Sequence, residues 1–201
     1  MALDEVLLNV STVPTLRCYR WLRPCVSFGY FGAFEEVRLR WPAWEHVRRW
    51  TGGGMVEHGA DFTYTLAVPR DHELARSNAA ESYRVIHGAV AAALRQRAGK
   101  GVALSGEGEA AKSSACFEHP VRNDVLVEGR KAAGGAQRRT AHGLLHQGSI
   151  QLPLGIDDFG SALSEALATK LVLRDFSAAE LSEGGRIATE KYGSEKWLRR
   201  Y

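Results

Sequence analysis

The sequence predicts an α/β fold (α+β in some schemes), a sheet flanked by helices, on three observations. Asn123 to Glu128 alternates Val125 and Val127 with Asp124, Leu126 and Glu128, the period of a strand. Glu128 and Gly129 can turn the chain, so that Lys131 to Arg139 returns antiparallel. Asp61 to Val68 also alternates, with Phe62, Tyr64, Leu66 and Val68 on one face. A stretch opening at Ser77 or Asn78 and running to about Arg97 spaces Tyr83, Ile86, Val90, Ala93 and Leu94 as the buried stripe of a helix.

The other elements follow in order. Met1 to Val10 is an amphipathic helix, with Leu3, Val6, Leu7 and Val10 on one face. Leu16 to Phe34 mixes aromatic and basic residues and breaks at Pro24 and Gly29, predicting short strands over about 15–21 and 25–30. Glu35 to Arg49 reads as a loop and helix ending in the basic pair Arg48-Arg49. Gly52, Gly53 and Gly54 then permit positive φ and close backbone approach, although most glycine-rich turns are only turns. After the long helix come a short strand near Val102–Leu104 and a loop, expected to be mobile, that feeds into Cys116. His142 to Leu152 is a strand ended by Pro153 and Gly155. Asp158–Val172 and Ser177–Tyr192 are helices, the second with Ser177 as cap and Glu180 behind it.

A chain of 201 residues with 45% hydrophobic and 24% charged residues can bury a core without staples. One domain over 1–201 is expected, with no C-terminal accessory domain. No apolar run approaches the ~20 residues that span a bilayer. The start is acidic and unlike a signal peptide. Cys18, Cys25 and Cys116 form no disulfide framework, which suits a reducing, cytoplasmic setting. A formal charge of +3 pulls weakly towards an anionic partner and lacks the concentrated basic patch that argues for nucleic acid. Neither a nucleic-acid nor a membrane partner is expected.

The stretch from Cys116 to Gln151, CFEHPVRNDVLVEGRKAAGGAQRRTAHGLLHQGSIQ, is the richest in chemistry. Ala132 to Ala136 carry almost no side chain, so a strand there gains little from packing. Close approach of a ligand or another backbone is the usual reason to accept that. Lys131 stands at the mouth of this run, and Cys116 lies fifteen residues upstream. Each has a bland reading. A free cysteine is usually a small buried hydrophobe, a hairpin lysine a solvated charge, and Asn123-Asp124 a strand entry. Lone histidines such as His58 and His146 are more often structural. His58, Lys131 and Cys116 match no zinc spacing, so no metal site is expected from them.

Together these segments resemble the biotin/lipoate A/B protein ligase superfamily, in the branch of lipoate-protein ligase A and the cysteine-dependent octanoyltransferases. The residues that carry it are Arg122-Asn123-Asp124, Gly129-Arg130-Lys131, Gly135-Ala136-Gln137-Arg138-Arg139 and His146-Gln147-Gly148-Ser149. Upstream, Arg48-Arg49, Thr51-Gly52-Gly53-Gly54, Val56, His58 and Tyr64 are similar to the family's long "RR-x-[ST]-GGG-x-V-x-H" signature. Glu81-Ser82-Tyr83 and the KYGSEKW tail agree with it. Gly32 stands where the family commonly has Gln or Asn, and the opening helix lies in the family behind a first strand: either this protein lacks that strand or its start is truncated. The biotin ligase loop "GRGRxGR" is absent.

The resemblance implies a mixed, mostly antiparallel sheet flanked by helices, as in the lipoate ligase catalytic domain. It implies octanoyl or lipoyl transfer to a lysine of a lipoyl domain through a Cys116 thioester, with Lys131 stabilising charge on the acyl carbonyl. Substrate-binding residues would be Arg49, Gly52, Gly53, Gly54, His58, Tyr64, Gly135, Ala136, Gln137, His146 and Gly148. The partners would be acyl carrier protein and lipoyl-domain proteins (glycine cleavage H protein, 2-oxoacid dehydrogenase E2), with no cofactor. Arg122-Asn123-Asp124 speaks instead for an ATP-dependent lipoate ligase working through an adenylate, with ATP and Mg near Asn123 and Asp124. A non-catalytic lipoate-binding or accessory protein that keeps the pocket is the third reading.

Overall fold

The computed structural model describes residues 1–98, 101–106 and 121–201. Cys116 and the loop expected before it lie outside the described residues.

Helix α1 (Ala2–Val10) precedes strands β1 (Thr15–Tyr19) and β2 (Cys25–Phe28). Helix α2 (Phe34–Arg40) leads to β3 (Glu45–Arg48), β4 (Val56–His58) and β5 (Phe62–Pro69). Then come α3 (Glu73–Arg76), α4 (Ala79–Ala98), β6 (Val102–Leu104), β7 (Val125–Val127), β8 (Arg130–Thr140) and β9 (Gly143–Ile150). Helix α5 (Ile156–Leu167), helix α6 (Ala178–Ile187), a π-helical turn (Ala188–Tyr192) and α7 (Glu195–Leu198) complete the order.

Six strands form one sheet in the order β1-β5-β9-β8-β7-β6, and every neighbouring pair in it is antiparallel. A second sheet, β3-β2-β4, pairs β2 with β3 in parallel and with β4 antiparallel. The architecture is thus mixed and mostly antiparallel, flanked by helices, as expected.

Alternation decides which face of the large sheet each residue takes. Phe62, Tyr64, Leu66 and Val68 point into the main core with Ile86, Val90, Ala93 and Leu94 of α4 and with Phe159 and Leu163 of α5. The opposite face of β5 and β9 packs Ala67 and Leu145 against Leu7 and Leu8 of α1. The β7–β8 hairpin turns at Glu128 (φ 50°) and Gly129 (φ 74°), the two left-handed residues that a tight two-residue turn requires. Ser177 caps α6 in a full capping box with Glu180.

Three expectations need correction. The helix over Glu35–Arg49 stops at Arg40, because Pro42 disfavours helical backbone at Trp41, and Glu45–Arg48 becomes a strand paired with β2. The Asp158–Val172 helix runs over Ile156–Leu167 instead. Ala168 is extended, and Leu171, Val172 and Leu173 find no core to face. The last long helix changes to π geometry after Ile187.

Candidate active site

The two sheets face each other across a cleft. One wall is the small-residue run of β8 with part of β9: Gly134, Gly135, Ala136, Gln147, Gly148 and Ser149. The other is built from β2, β4 and the loop before β4, with Ser27, Arg49, Gly53 and His58 among its residues. Tyr19, Trp21 and Thr63 close one side. The cleft holds about 430 Å³ of empty space, including its open mouth, and its walls are mostly apolar. Gly53 takes φ 88° and faces β8, where an added Cβ would come 3.5 Å from that of Ala136. The glycine loop and the small-residue strand therefore leave between them the room that larger side chains would fill.

Arg49 fixes the loop. Its guanidinium donates to the Gly52 carbonyl at 2.9 Å, to the Gly54 carbonyl at 2.8 Å and to Ser27 Oγ at 2.8 Å. Ser27 Oγ lies 2.6 Å from His58 Nε2, and His58 Nδ1 lies 2.8 Å from Asp61 Oδ2. Burial holds His58 below its usual proton affinity against the pull of Asp61, so the ring is neutral at pH 7. It donates Nδ1–H to Asp61 and accepts the Ser27 hydroxyl at Nε2. Asp61 also accepts from Ser149 Oγ at 2.7 Å, Thr63 Oγ1 at 2.9 Å and the Gly59 N–H at 3.1 Å. Burial alone would raise the Asp61 carboxyl, but the hydrogen bonds from His58, Ser149 and Gly59 outweigh it and the carboxyl sits below its usual range. Trp21 stacks on His58 at 4.4 Å.

At the Gly134 end, the Lys131 ammonium lies 2.7 Å from Asp124 Oδ2, with both side chains at most 4% exposed. A Cβ on Gly134 would come 3.0 Å from Lys131 Cε and 3.2 Å from Asp124 Oδ1. The absent side chain thus leaves this ion pair directly beside the cleft wall. Asp124 Oδ2 also accepts the Val121 N–H at 2.7 Å, and Asn123 is left-handed at φ 69°.

Tyr64, Gln137 and His146 do not line the cleft. They lie on the core face of the large sheet, where Tyr64 OH is 3.1 Å from His146 Nε2 and Gln137 Nε2 is 3.1 Å from His146 Nδ1. Gly135 and Gly148 form the thin floor between them and the cleft. Added Cβ atoms would come 2.5 Å from His146 Nε2 and 2.2 Å from Tyr64 Cζ. Burial, then the neighbouring His87, push His146 well below the usual histidine range. Cys18 and Cys25 are both pushed up to about 12 by burial, so neither is a ready thiolate. Among the described residues no group of three His, Cys, Asp or Glu could hold a metal ion. No helix among them is long and apolar enough to cross a membrane.

The sequence does not single out Asp61, nor Trp21 and Ser27 residue by residue within the Leu16–Phe34 stretch. The one available signal was the parity of β5: with Phe62 and Tyr64 facing the core on either side of it, Thr63 had to face the cleft, with Asp61 beside it.

Comparison with known proteins agrees with the fold. Residues 1–177 match the lipoyl protein ligase A/B catalytic domain. The chain is 35% identical over 193 residues to octanoyltransferase LipM of Moorella thermoacetica, covering 89% of this chain and 71% of that protein. It is 36% identical over 177 residues to octanoyltransferase LipM of Brevibacillus brevis, covering 78% of this chain but only 62% of that relative's length. A solved structure of protein Ta0514 from T. acidophilum with bound lipoic acid superposes with a TM-score of 0.79 at 18% identity, covering 100% of this chain and 92% of that one. That likeness extends to the fold. The chain belongs to the lipoyl protein ligase A/B catalytic domain family.

Proposed function

We propose that this protein is an octanoyltransferase of protein lipoylation. It moves an octanoyl group from the thioester of an acyl carrier protein to a lysine amine of a lipoyl domain. The observation that carries the reading is the cleft: a mostly apolar slot, walled by Gly134–Ala136 and the Gly53 loop, with the buried Lys131–Asp124 pair beside its Gly134 wall. An acyl tail laid in it gains about 0.8 kcal/mol per buried methylene, roughly 5 kcal/mol for the whole tail. The name shared by the two relatives favours this chemistry over ATP-dependent ligation or a non-catalytic role.

In this reading the Cys116 thiolate attacks the thioester carbonyl. A new C–S bond forms, the old one breaks, and the carrier thiolate leaves and takes up a proton. The lysine amine then attacks the acyl-cysteine. The C–N bond forms, the Cys116 thiolate is released, and the surplus amine proton passes to solvent. In both steps negative charge develops on the carbonyl oxygen, and the Lys131 ammonium, held by Asp124, stabilises it there. The Arg49–Ser27–His58–Asp61 chain keeps the glycine loop in place over the acyl tail. No cofactor is required, and a reducing cytoplasmic setting suits the free thiol.

Octanoyl transfer from carrier protein to a lipoyl domain, assayed without ATP, tests this. Activity that disappears in Cys116→Ser supports the reading, and undiminished activity in that variant refutes it.

A further inference from the structure

A buried imidazole stands behind Gly135, on the far side of the cleft floor. His87 lies in α4 and is 1% exposed. Its Nδ1 is 2.6 Å from the Asn123 carbonyl oxygen. A carbonyl only accepts, so Nδ1 carries the proton and Nε2 is a bare acceptor. That Nε2 has no hydrogen-bond partner among the described residues. An imidazole placed so leaves a buried acceptor unpaired, which costs stability. An aromatic ring such as Phe would fill the space without that cost. What the imidazole adds is the donor at Nδ1.

The donor reaches the turn that presents Asp124. Asn123 is left-handed, its N–H donates to the Ser105 carbonyl at 3.1 Å, and its side-chain amide donates to the Ala80 carbonyl of α4 at 3.3 Å. Helix α4 therefore fastens the turn at two points, the side chain through Ala80 and the backbone through His87. The next residue is Asp124, which grips Lys131 at 2.7 Å. The ring of His87 is itself set edge-on between Tyr83, at 5.5 Å, and His146, at 5.1 Å.

We propose that His87 is a positioning residue for the acyl-transfer chemistry: its Nδ1–H holds the Asn123 carbonyl and so sets the carboxylate of Asp124 that aims the Lys131 ammonium at the cleft. The proposal rests on the reading of Lys131 as the charge-stabilising group. The Asn123 turn is a side-chain-to-backbone clamp, so a substitution that keeps an N–H near the Nδ1 position keeps the function.

The test compares His87→Phe, which keeps a ring and loses the donor, with His87→Asn, which keeps an amide N–H near that position. In octanoyl transfer, H87F is expected to lower kcat about tenfold or more with KM for the acyl donor within about twofold, while H87N stays within about threefold of the unaltered enzyme. Adding H87F to Lys131→Met is expected to lower kcat no further, since the first residue acts through the second. Unaltered kcat in H87F, an equal loss in H87N, or fully multiplicative losses in the double variant would each overturn the proposal. If H87F does not fold, His87→Leu takes its place; failure of both to fold assigns the imidazole to the core alone and overturns it too. Unaltered kcat in K131M by itself would overturn the role of Lys131, a separate result from any of these.

Discussion

The Lys131 ammonium and the Asp124 carboxylate sit 2.7 Å apart, almost wholly out of water, beside a glycine of the cleft wall. Two charges desolvated together are held tightly in orientation, and removing one takes away the compensation it gives the other. Lys131→Met is expected to lower kcat for octanoyl transfer by about 10²–10³-fold, the size seen when a single oxyanion-stabilising donor is lost. Asp124→Ala leaves the ammonium buried without its carboxylate and is expected to cost about 3–5 kcal/mol of stability. Steady-state kinetics and urea denaturation measure the two effects separately. A K131M enzyme of unaltered kcat contradicts the first, and a D124A protein of unaltered urea midpoint the second.

Gly135 and Gly52 make a matched pair of substitutions. A Cβ on Gly135 meets His146 Nε2 at 2.5 Å and His87 Nε2 at 2.9 Å, whereas a Cβ on Gly52 meets nothing within 4 Å. Overpacking of this kind costs about 1–3 kcal/mol. Gly135→Ala is therefore expected to lower Tm clearly and Gly52→Ala to change it little. Thermal melts in which the order is reversed would contradict the account of the cleft floor.

Asp61 gathers hydrogen bonds from His58, Ser149, Thr63 and the Gly59 N–H. Asp61→Ala strands the buried His58 Nδ1–H, which by itself costs about 1–3 kcal/mol. The loosened His58 releases Ser27 and then Arg49, so KM for the acyl donor is expected to rise. A fall in urea midpoint at constant m, together with a higher KM, is the expected pair of results. A variant as stable as the unaltered protein would show that the chain of bonds carries no load.

Three buried histidines give a pH dependence of known sign. Burial lowers the proton affinity of His58, His87 and His146 in the folded protein. In the unfolded chain they bind protons near pH 6.5. Below that pH the unfolded state therefore holds more protons than the folded one, and stability falls as pH falls; above it these groups impose no slope. The limiting slope is about 1.4 kcal/mol per pH unit for each ring, roughly 4 kcal/mol per unit for the three. Urea melts between pH 7.5 and 5.5 check this, and a midpoint that holds steady or rises on acidification would contradict it.

What the sequence made legible was local. The Glu128–Gly129 turn, the Ser177 cap, the alternation of β5 and the small-residue strand β8 are each specified by neighbours in the chain, and each appears where expected. Strands β3 and β4 were not legible: Glu45–Arg48 lies in a stretch that also reads as loop and helix, Val56–His58 follows the glycine run, and β3 is defined by pairing with β2 twenty residues upstream. The site was legible in part. The glycine loop, Arg49, His58 and Gly135–Ala136 meet in one cleft, with Lys131 beside it. Tyr64, by contrast, faces the core, as its parity with Phe62 and Leu66 requires. His87 reads in sequence as one more helix position; only the packing of α4 over β8 and β9 brings it to Asn123.

The proposed reaction passes through a thioester on Cys116, with Lys131 stabilising charge on the carbonyl oxygen. Mass spectrometry of the protein after incubation with octanoyl carrier protein, without ATP, is the decisive measurement. One octanoyl adduct per chain is expected, located on Cys116, removed by hydroxylamine and consumed when a lipoyl domain is added. An unmodified Cys116 in protein that nonetheless octanoylates the lipoyl domain would contradict it.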